Sequence, residues 1–165
     1  MNSEVSHEGD PVQCPQDHLI LAAVDESENS LRAVDYLARW AACGEGVRTT
    51  LVHVVREAGE DIIPGQAERE EDLRKKREAG DALLADVKER LESLGVPASK
   101  VTTKILLCRP PDTVAEVLLE EKGAGSYDTM VLGRRGMSKK EEYIFGSVTT
   151  ILVREASDVS VWVVA

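Results

Sequence analysis

Short apolar runs alternate with longer amphipathic segments along almost the whole chain. The first run, residues 19–24, is apolar at every position, as expected for a strand that is covered on both faces. The segments between successive runs carry apolar residues at spacings of three and four, which is the pattern of helices with one buried side. This alternation predicts an α/β domain with a single doubly wound open parallel sheet, helices on both faces and right-handed crossovers.

The pattern resolves into five strands and four helices in strict alternation. Strands are predicted over residues 19–24, 49–55, 101–107, 128–132 and 159–164. Ser27 is positioned to cap the first helix, the second helix spans residues 67–94, and Pro110-Pro111-Asp112 opens the third. The third strand has polar residues at alternate positions, which places it at an edge of the sheet.

The chain length favours a single domain. Its 165 residues, 42% of them hydrophobic, are enough for one core. We assign residues 17–165 to this domain and residues 1–16 to a flexible, polar N-terminal lead-in.

Charge and composition argue against several classes of protein. The net charge of −10 would repel the phosphates of nucleic acids and anionic lipids, so neither nucleic acid nor a membrane is expected as a partner. The run at residues 19–24 is too short to span a bilayer, and residues 1–10 do not resemble a signal peptide. Three cysteines (Cys14, Cys43 and Cys108) without a Cys-x-x-Cys pair are typical of reduced thiols. We therefore expect a cytoplasmic protein.

Two loops are expected where ligands bind in such sheets, beyond the carboxyl ends of the strands. Asp25-Glu26-Ser27 follows the first strand, and residues 133–146 lead from the fourth strand to the last helix. Glycines in the second loop allow positive φ and close approach of backbone amides to a ligand. This loop has a net charge of +2, which leaves −12 for the rest of the chain. These features indicate a phosphate cradle, although a solvated surface loop would have a similar composition.

The glycine spacing resembles a known family. Gly133-x2-Gly136-x9-Gly146-Ser147, in a domain with Val24-Asp25 after its first strand, resembles the nucleotide-binding subgroup of the universal stress protein family. The resemblance extends over residues 19–165. It implies the strand order 3-2-1-4-5, binding of ATP or another adenine nucleotide, and a homodimer.

The resemblance also implies which residues form the site. Carried over position by position, the nucleotide-binding residues are Ala23, Asp25, Val54, Leu132, Gly133, Arg135, Gly136, Gly146, Ser147, Val148 and Thr149. Asp25 would lie near the ribose and phosphates, and Ala23 and Val54 beside the base. Glu26 replaces a small residue that is common in the family, so its carboxylate and that of Asp25 would repel phosphates unless Mg²⁺ lies between them. We therefore expect Asp25 and Glu26 to hold Mg²⁺ through the bound nucleotide.

Three sets of residues allow other interpretations. The pair Asp25-Glu26 is also typical of receiver domains, but the third strand ends without the phosphoacceptor aspartate that such a domain needs. His53 is interpreted as a hydrogen-bonded core imidazole in preference to a catalytic base. Cys108 is interpreted as a small buried side chain in preference to a redox-active thiol.

The sequence thus predicts an ATP-binding universal stress protein that acts as a nucleotide-dependent stress or regulatory module, with at most slow ATP hydrolysis. Two alternatives stay open: a nucleotide-free interaction protein of the same family, and a genuine ATPase or phosphotransferase. No residue is marked by the sequence as a base for water, and no catalytic residue is assigned.

The final strand is the predicted dimer interface. Val159, Val161 and Val163 would face one side of the sheet, and Ser160, Trp162 and Val164 the other. An unpaired edge with an exposed Trp162 would be prone to aggregation, and antiparallel pairing with the same strand of a second copy would cover it. The alternative is that Trp162 packs inward under a helix.

Overall fold

One parallel sheet organises the molecule. The structure, a computed structural model, describes residues 17–44, 46–134 and 147–165. Its strands are β1 (His18–Ala23), β2 (Val47–Arg56), β3 (Val101–Cys108), β4 (Thr129–Gly133) and β5 (Ser160–Val164). All neighbouring strands are parallel, in the order β3-β2-β1-β4-β5. The predicted fold class, strand order and edge position of β3 are confirmed.

Among the described residues, four α-helices connect the strands and cover both faces of the sheet. They are α1 (Glu28–Ala41), α2 (Gln66–Ser93), α3 (Val114–Gly125) and α4 (Ser147–Glu155). Buried residues of α1 and α2 pack in one apolar cluster with Ile20 and Leu51, and those of α3 and α4 pack in a second cluster with Leu21 and Met130. The central strand β1 therefore contributes side chains to both cores, as its uninterrupted apolar run predicts.

Helix α1 begins where its capping residue predicts. The hydroxyl of Ser27 accepts a hydrogen bond from the Ser30 amide at 3.2 Å. Further along α1, Asp35 accepts two hydrogen bonds from the Arg90 guanidinium of α2, at 2.6 and 2.7 Å. The hydrogen bond from Arg90 holds the pKa of the Asp35 carboxyl below its usual value. This ion pair joins the two helices on one face of the sheet.

Helix α3 begins later than the prolines suggest. The predicted start at Pro110-Pro111-Asp112 was wrong, because Thr113 is the N-cap and Val114 the first helical residue. The Thr113 amide donates to the Glu116 carboxylate at 2.7 Å, and the Glu116 amide donates to the Thr113 hydroxyl at 3.3 Å. This reciprocal capping box satisfies two backbone donors, and it decides where the helix starts.

The environment of Trp162 differs from the sequence expectation. Its ring is partly buried and makes edge-on contacts with Tyr36 and Trp40 of α1, at centroid distances of 5.8 and 5.2 Å. The expectation of an exposed Trp162 was therefore wrong, because α1 lies over this face of β5. The alternation of side chains along β5 is as predicted, since Val161 and Val163 pack in the opposite core.

Within the described ranges, no helix combines the length and the apolar composition that crossing a membrane requires.

Candidate functional site

A cavity lies where the strand order reverses, at the carboxyl ends of β1 and β4. Strand β1 lies between β2 and β4, so successive strands are added on one side of β1 and then on the other. Ligands in open α/β sheets usually bind at this point of reversal. The cavity has a volume of about 310 Å³, at the lower end of the range for small-molecule sites. Its lining includes Ala23, Asp25, Val54, Leu132, Gly133, Ser147, Val148 and Thr149. The structure thus brings together eight of the eleven residues that the resemblance implies.

The loop between β1 and α1 is held by its own hydrogen bonds. The Oδ1 atom of Asp25 accepts from the Ser27 amide at 3.0 Å and from the Ser27 hydroxyl at 2.5 Å. The Asp25 amide donates to the buried hydroxyl of Ser30 at 2.9 Å. The exposed carboxylate of Asp25 is therefore fixed at the mouth of the cavity before any ligand arrives.

Gly133 ends β4 against the first turn of α1. A Cβ atom at this position would lie 2.5 Å from the carbonyl oxygen of Asn29 and 2.5 Å from the amide nitrogen of Ser30. Glycines in this loop were expected to allow positive φ or close approach of backbones, and Gly133 uses the second of these, since among the described glycines a positive φ occurs at Gly95. Glycine is required at 133 because two backbones touch there, and this contact brings the Asp25 loop and β4 to one edge of the cavity.

The N-terminus of α4 supplies polar groups to the same cavity. Ser147 is exposed, Val148 is partly buried and Thr149 is buried, and all three line the cavity. Amides in the first turn of a helix have no partner within the helix, and the helix dipole favours negative charge near them. The first turn of α4 is therefore suited to hold an anionic group.

The opposite part of the cavity is apolar. Ala23 of β1 and Leu132 of β4 are neighbours in the sheet, and Val54 of β2 also lines this part of the cavity. Val114 and Leu118 of α3 complete this wall. An apolar slot beside a polar helix terminus fits a ligand with one flat apolar part and one anionic part.

Several lining residues were not predicted as part of the site. Ser30, His53 and Arg56 belong to it, together with Val114 and Leu118. Arg56 directly follows the predicted second strand and is the last residue of β2 in the structure. Its position was therefore a signal for the site, since the carboxyl ends of all parallel strands meet at one edge. The side-chain bond of Ser30 to the Asp25 loop had no such signal in the sequence.

Other predicted site residues lie elsewhere or outside the described residues. Arg135, Gly136 and Gly146 fall outside the described ranges. Glu26 is exposed and does not belong to the lining of the cavity. Across the part of the chain that the structure describes, no group of three or more His, Cys, Asp or Glu side chains is arranged to hold a metal ion.

The two residues with alternative interpretations are both engaged in structural contacts. The Nδ1 atom of His53 is 2.9 Å from the carbonyl oxygen of Val24, as expected for a hydrogen-bonded imidazole. The Cys108 thiol is buried and donates to the carbonyl oxygen of Asp112 at 3.2 Å. Burial raises the pKa of this thiol, which disfavours the reactive thiolate.

Comparisons with known proteins identify the family and the fold. The chain matches the sequence profile of the universal stress protein family over residues 18–165. No curated protein sequence matches the chain significantly. At identities of 17–22%, the similarity to the solved structures below concerns the fold.

Three solved structures illustrate the similarity. The universal stress protein UspA from Lactobacillus plantarum has a TM-score of 0.76 and 18% identity, over 92% of this chain and 100% of that one. A universal stress protein in complex with cAMP has a TM-score of 0.66 and 22% identity, over 92% and 99% of the two chains. A universal stress protein from Archaeoglobus fulgidus in complex with dAMP has a TM-score of 0.58 and 17% identity, over 92% and 100%. With the profile match over nearly the whole sequence, we conclude that the chain belongs to the universal stress protein family.

Proposed function

We propose that this protein is a cytoplasmic nucleotide-binding stress or regulatory module that takes ATP, or another adenine nucleotide, at the carboxyl ends of β1 and β4. The observation that carries the proposal is the cavity itself, which joins an apolar slot to the first turn of α4. Universal stress proteins of the same fold are known in complex with cAMP and with dAMP, which supports an adenine nucleotide as the ligand class.

The polarity of the cavity suggests how the nucleotide would be oriented. The base would lie between Ala23, Val54 and Leu132, where apolar surface is available. The phosphates would lie at Ser147 and Thr149, whose amides and hydroxyls can donate hydrogen bonds to anionic oxygens. We expect Arg135, Gly136 and Gly146 to complete the phosphate site.

Magnesium is proposed as a companion of the nucleotide. Asp25 fits this role in part, since its Oδ1 atom is held by Ser27 while its carboxylate remains exposed at the mouth of the cavity. Glu26 would contribute only if it turned toward the ligand. The ion would offset the repulsion between the Asp25 carboxylate and the phosphates.

Binding is favoured over catalysis as the primary activity. Asp25 and His53 are the two side chains of the described lining that could act as a base, and both already accept or donate a hydrogen bond within the fold. A free base positioned for water is what efficient hydrolysis would need. Slow ATP hydrolysis is therefore the second candidate activity.

Titration calorimetry of the purified protein with ATP tests the proposal. We expect saturable binding of one ATP per chain in Mg²⁺, and weaker binding in EDTA because Asp25 would then face the phosphates directly. Asp25→Asn should bind ATP with a smaller difference between the two conditions. A wild type that gives no binding heat, and no thermal shift with ATP, would overturn the proposal in favour of a nucleotide-free interaction protein.

We also propose a homodimer through the open edge of β5. The Ser160 amide donates to the Asp128 carbonyl, and the Arg134 amide donates to the Val164 carbonyl. Since alternate residues of a strand direct their backbone groups to opposite sides, Val161 and Val163 direct theirs away from β4. These two residues are therefore available to pair with a second copy.

Val161→Pro is expected to weaken the dimer while leaving the β4–β5 pairing intact, because it removes an amide that faces the open edge. Trp162→Lys is a poorer test, because Trp162 packs against α1. Light scattering at micromolar concentration should report a dimer for the wild type and for Val161→Thr, which keeps the amide. A monomeric wild type, or equally stable dimers for Val161→Pro and Val161→Thr, would contradict this interface.

A further inference from the structure

His53 lies at a point where α2 approaches the sheet very closely. A Cβ atom on Gly80 of α2 would lie 2.8 Å from Cδ2 of His53 and 2.8 Å from Cδ1 of Ile105. Gly80 is buried in the interior of a 28-residue helix, where glycine is less favourable than alanine. Glycine allows close contact between the helix and the His53 ring. With alanine at this position, either the helix or the ring would have to shift.

The same imidazole holds the backbone at the entrance of the cavity. Nδ1 of His53 is 2.9 Å from the carbonyl oxygen of Val24. A carbonyl oxygen accepts and does not donate, so Nδ1 carries the hydrogen. Val24 immediately precedes Asp25, and its own amide donates to the Val52 carbonyl at 2.9 Å. The ring therefore fixes the peptide group that leads directly into the Asp25 loop.

We propose that His53 is a positioning residue through which the packing of α2 and the occupancy of the nucleotide site influence each other. One side of the ring contacts Gly80, and its Nδ1 atom holds the Val24 carbonyl. A shift of α2 would move the ring and with it the peptide before Asp25. By thermodynamic reciprocity, a nucleotide that orders the Asp25 loop would also stabilise the docking of α2 around Gly80.

The inference rests on the proposed binding of nucleotide, and it adds α2 as an element that regulates the site. His53 acts as a positioning residue in this proposal, because its Nδ1 atom holds the Val24 carbonyl oxygen, and its ring also lines the cavity. A purely structural histidine would affect the stability of the free protein without linking ATP binding to the exposure of α2. The test must therefore measure that linkage.

Two substitutions at His53 separate the hydrogen bond from the packing. His53→Leu removes the donor, whereas His53→Asn keeps an amide nitrogen at the position of Nδ1. Calorimetry should show ATP binding about tenfold weaker for His53→Leu than for wild type, with partial recovery in His53→Asn. Gly80→Ala should also weaken ATP binding by pushing the ring, while Gly123→Ala, where nothing lies within 4 Å of the added methyl group, should not.

Hydrogen exchange of residues 77–84 gives the second measurement. ATP should slow amide exchange there in the wild type and His53→Asn, and much less in His53→Leu. If His53→Leu does not fold, Gly80→Ala carries the same comparison. Equal affinities and equal ATP-induced protection in wild type, His53→Leu and Gly80→Ala would overturn this inference alone. A wild type that binds no ATP would overturn the proposed function and this inference with it.

Discussion

Gly133→Ala is expected to destabilise the protein by about 2 kcal/mol, because the new methyl group would collide with the backbone of α1. The clash at the carbonyl of Asn29 and the amide of Ser30 cannot be relieved by rotating a side chain. For a domain of this size, such a loss lowers the melting temperature by about 4–8 °C. ATP affinity should fall as well, since any shift of Ser30 disturbs its hydrogen bond to the Asp25 amide.

Thermal unfolding and ATP titration of Gly133→Ala and Gly123→Ala check this prediction side by side. Gly123 lies in α3, and nothing lies within 4 Å of a methyl group added there. Alanine at 123 should therefore leave the melting temperature unchanged or raise it slightly, because alanine is the better helix former. If Gly133→Ala behaves like Gly123→Ala in both measurements, the close contact between β4 and α1 contributes neither to stability nor to ATP binding.

Ala23→Phe is expected to abolish detectable ATP binding while the fold persists. Ala23 ends β1 and lines the apolar wall of the cavity, so a phenyl ring there would occupy the place proposed for the base. We expect affinity to fall by at least about 100-fold, which corresponds to roughly 2.7 kcal/mol. The new ring extends into an existing cavity and displaces few packed atoms, so the cost in stability should be smaller than the loss of binding.

Ala82→Phe is the matched control for this change, since Ala82 is exposed on α2 and does not line the cavity. Circular dichroism should show the same secondary structure for wild type and both variants, and calorimetry should show ATP binding for wild type and Ala82→Phe. Binding of ATP by Ala23→Phe at wild-type affinity would place the base elsewhere and contradict the proposed orientation of the nucleotide.

Local patterns in the sequence determined the elements and their order. We could assign a central and an edge strand from the apolar run in β1 and the polar alternation in β3. A strand that is buried on both faces is apolar at every position, whereas one buried on a single face alternates. Ser27 marked the start of α1 for an equally local reason, since a cap bonds to an amide three residues away. The resemblance that rests on the glycine spacing then indicated the site and the family.

Tertiary structure decided why particular residues are needed at the site. Gly133 is in contact with a backbone about one hundred residues earlier, so its role is one of packing and not of backbone freedom. His53 bonds to a carbonyl 29 residues away, and Trp162 packs against Trp40 of α1. The sequence of one element gives its periodicity and its apolar face, but contacts between elements depend on the register and distance at which they pack. Those quantities are set by all the packed side chains together, so only the folded structure reveals them.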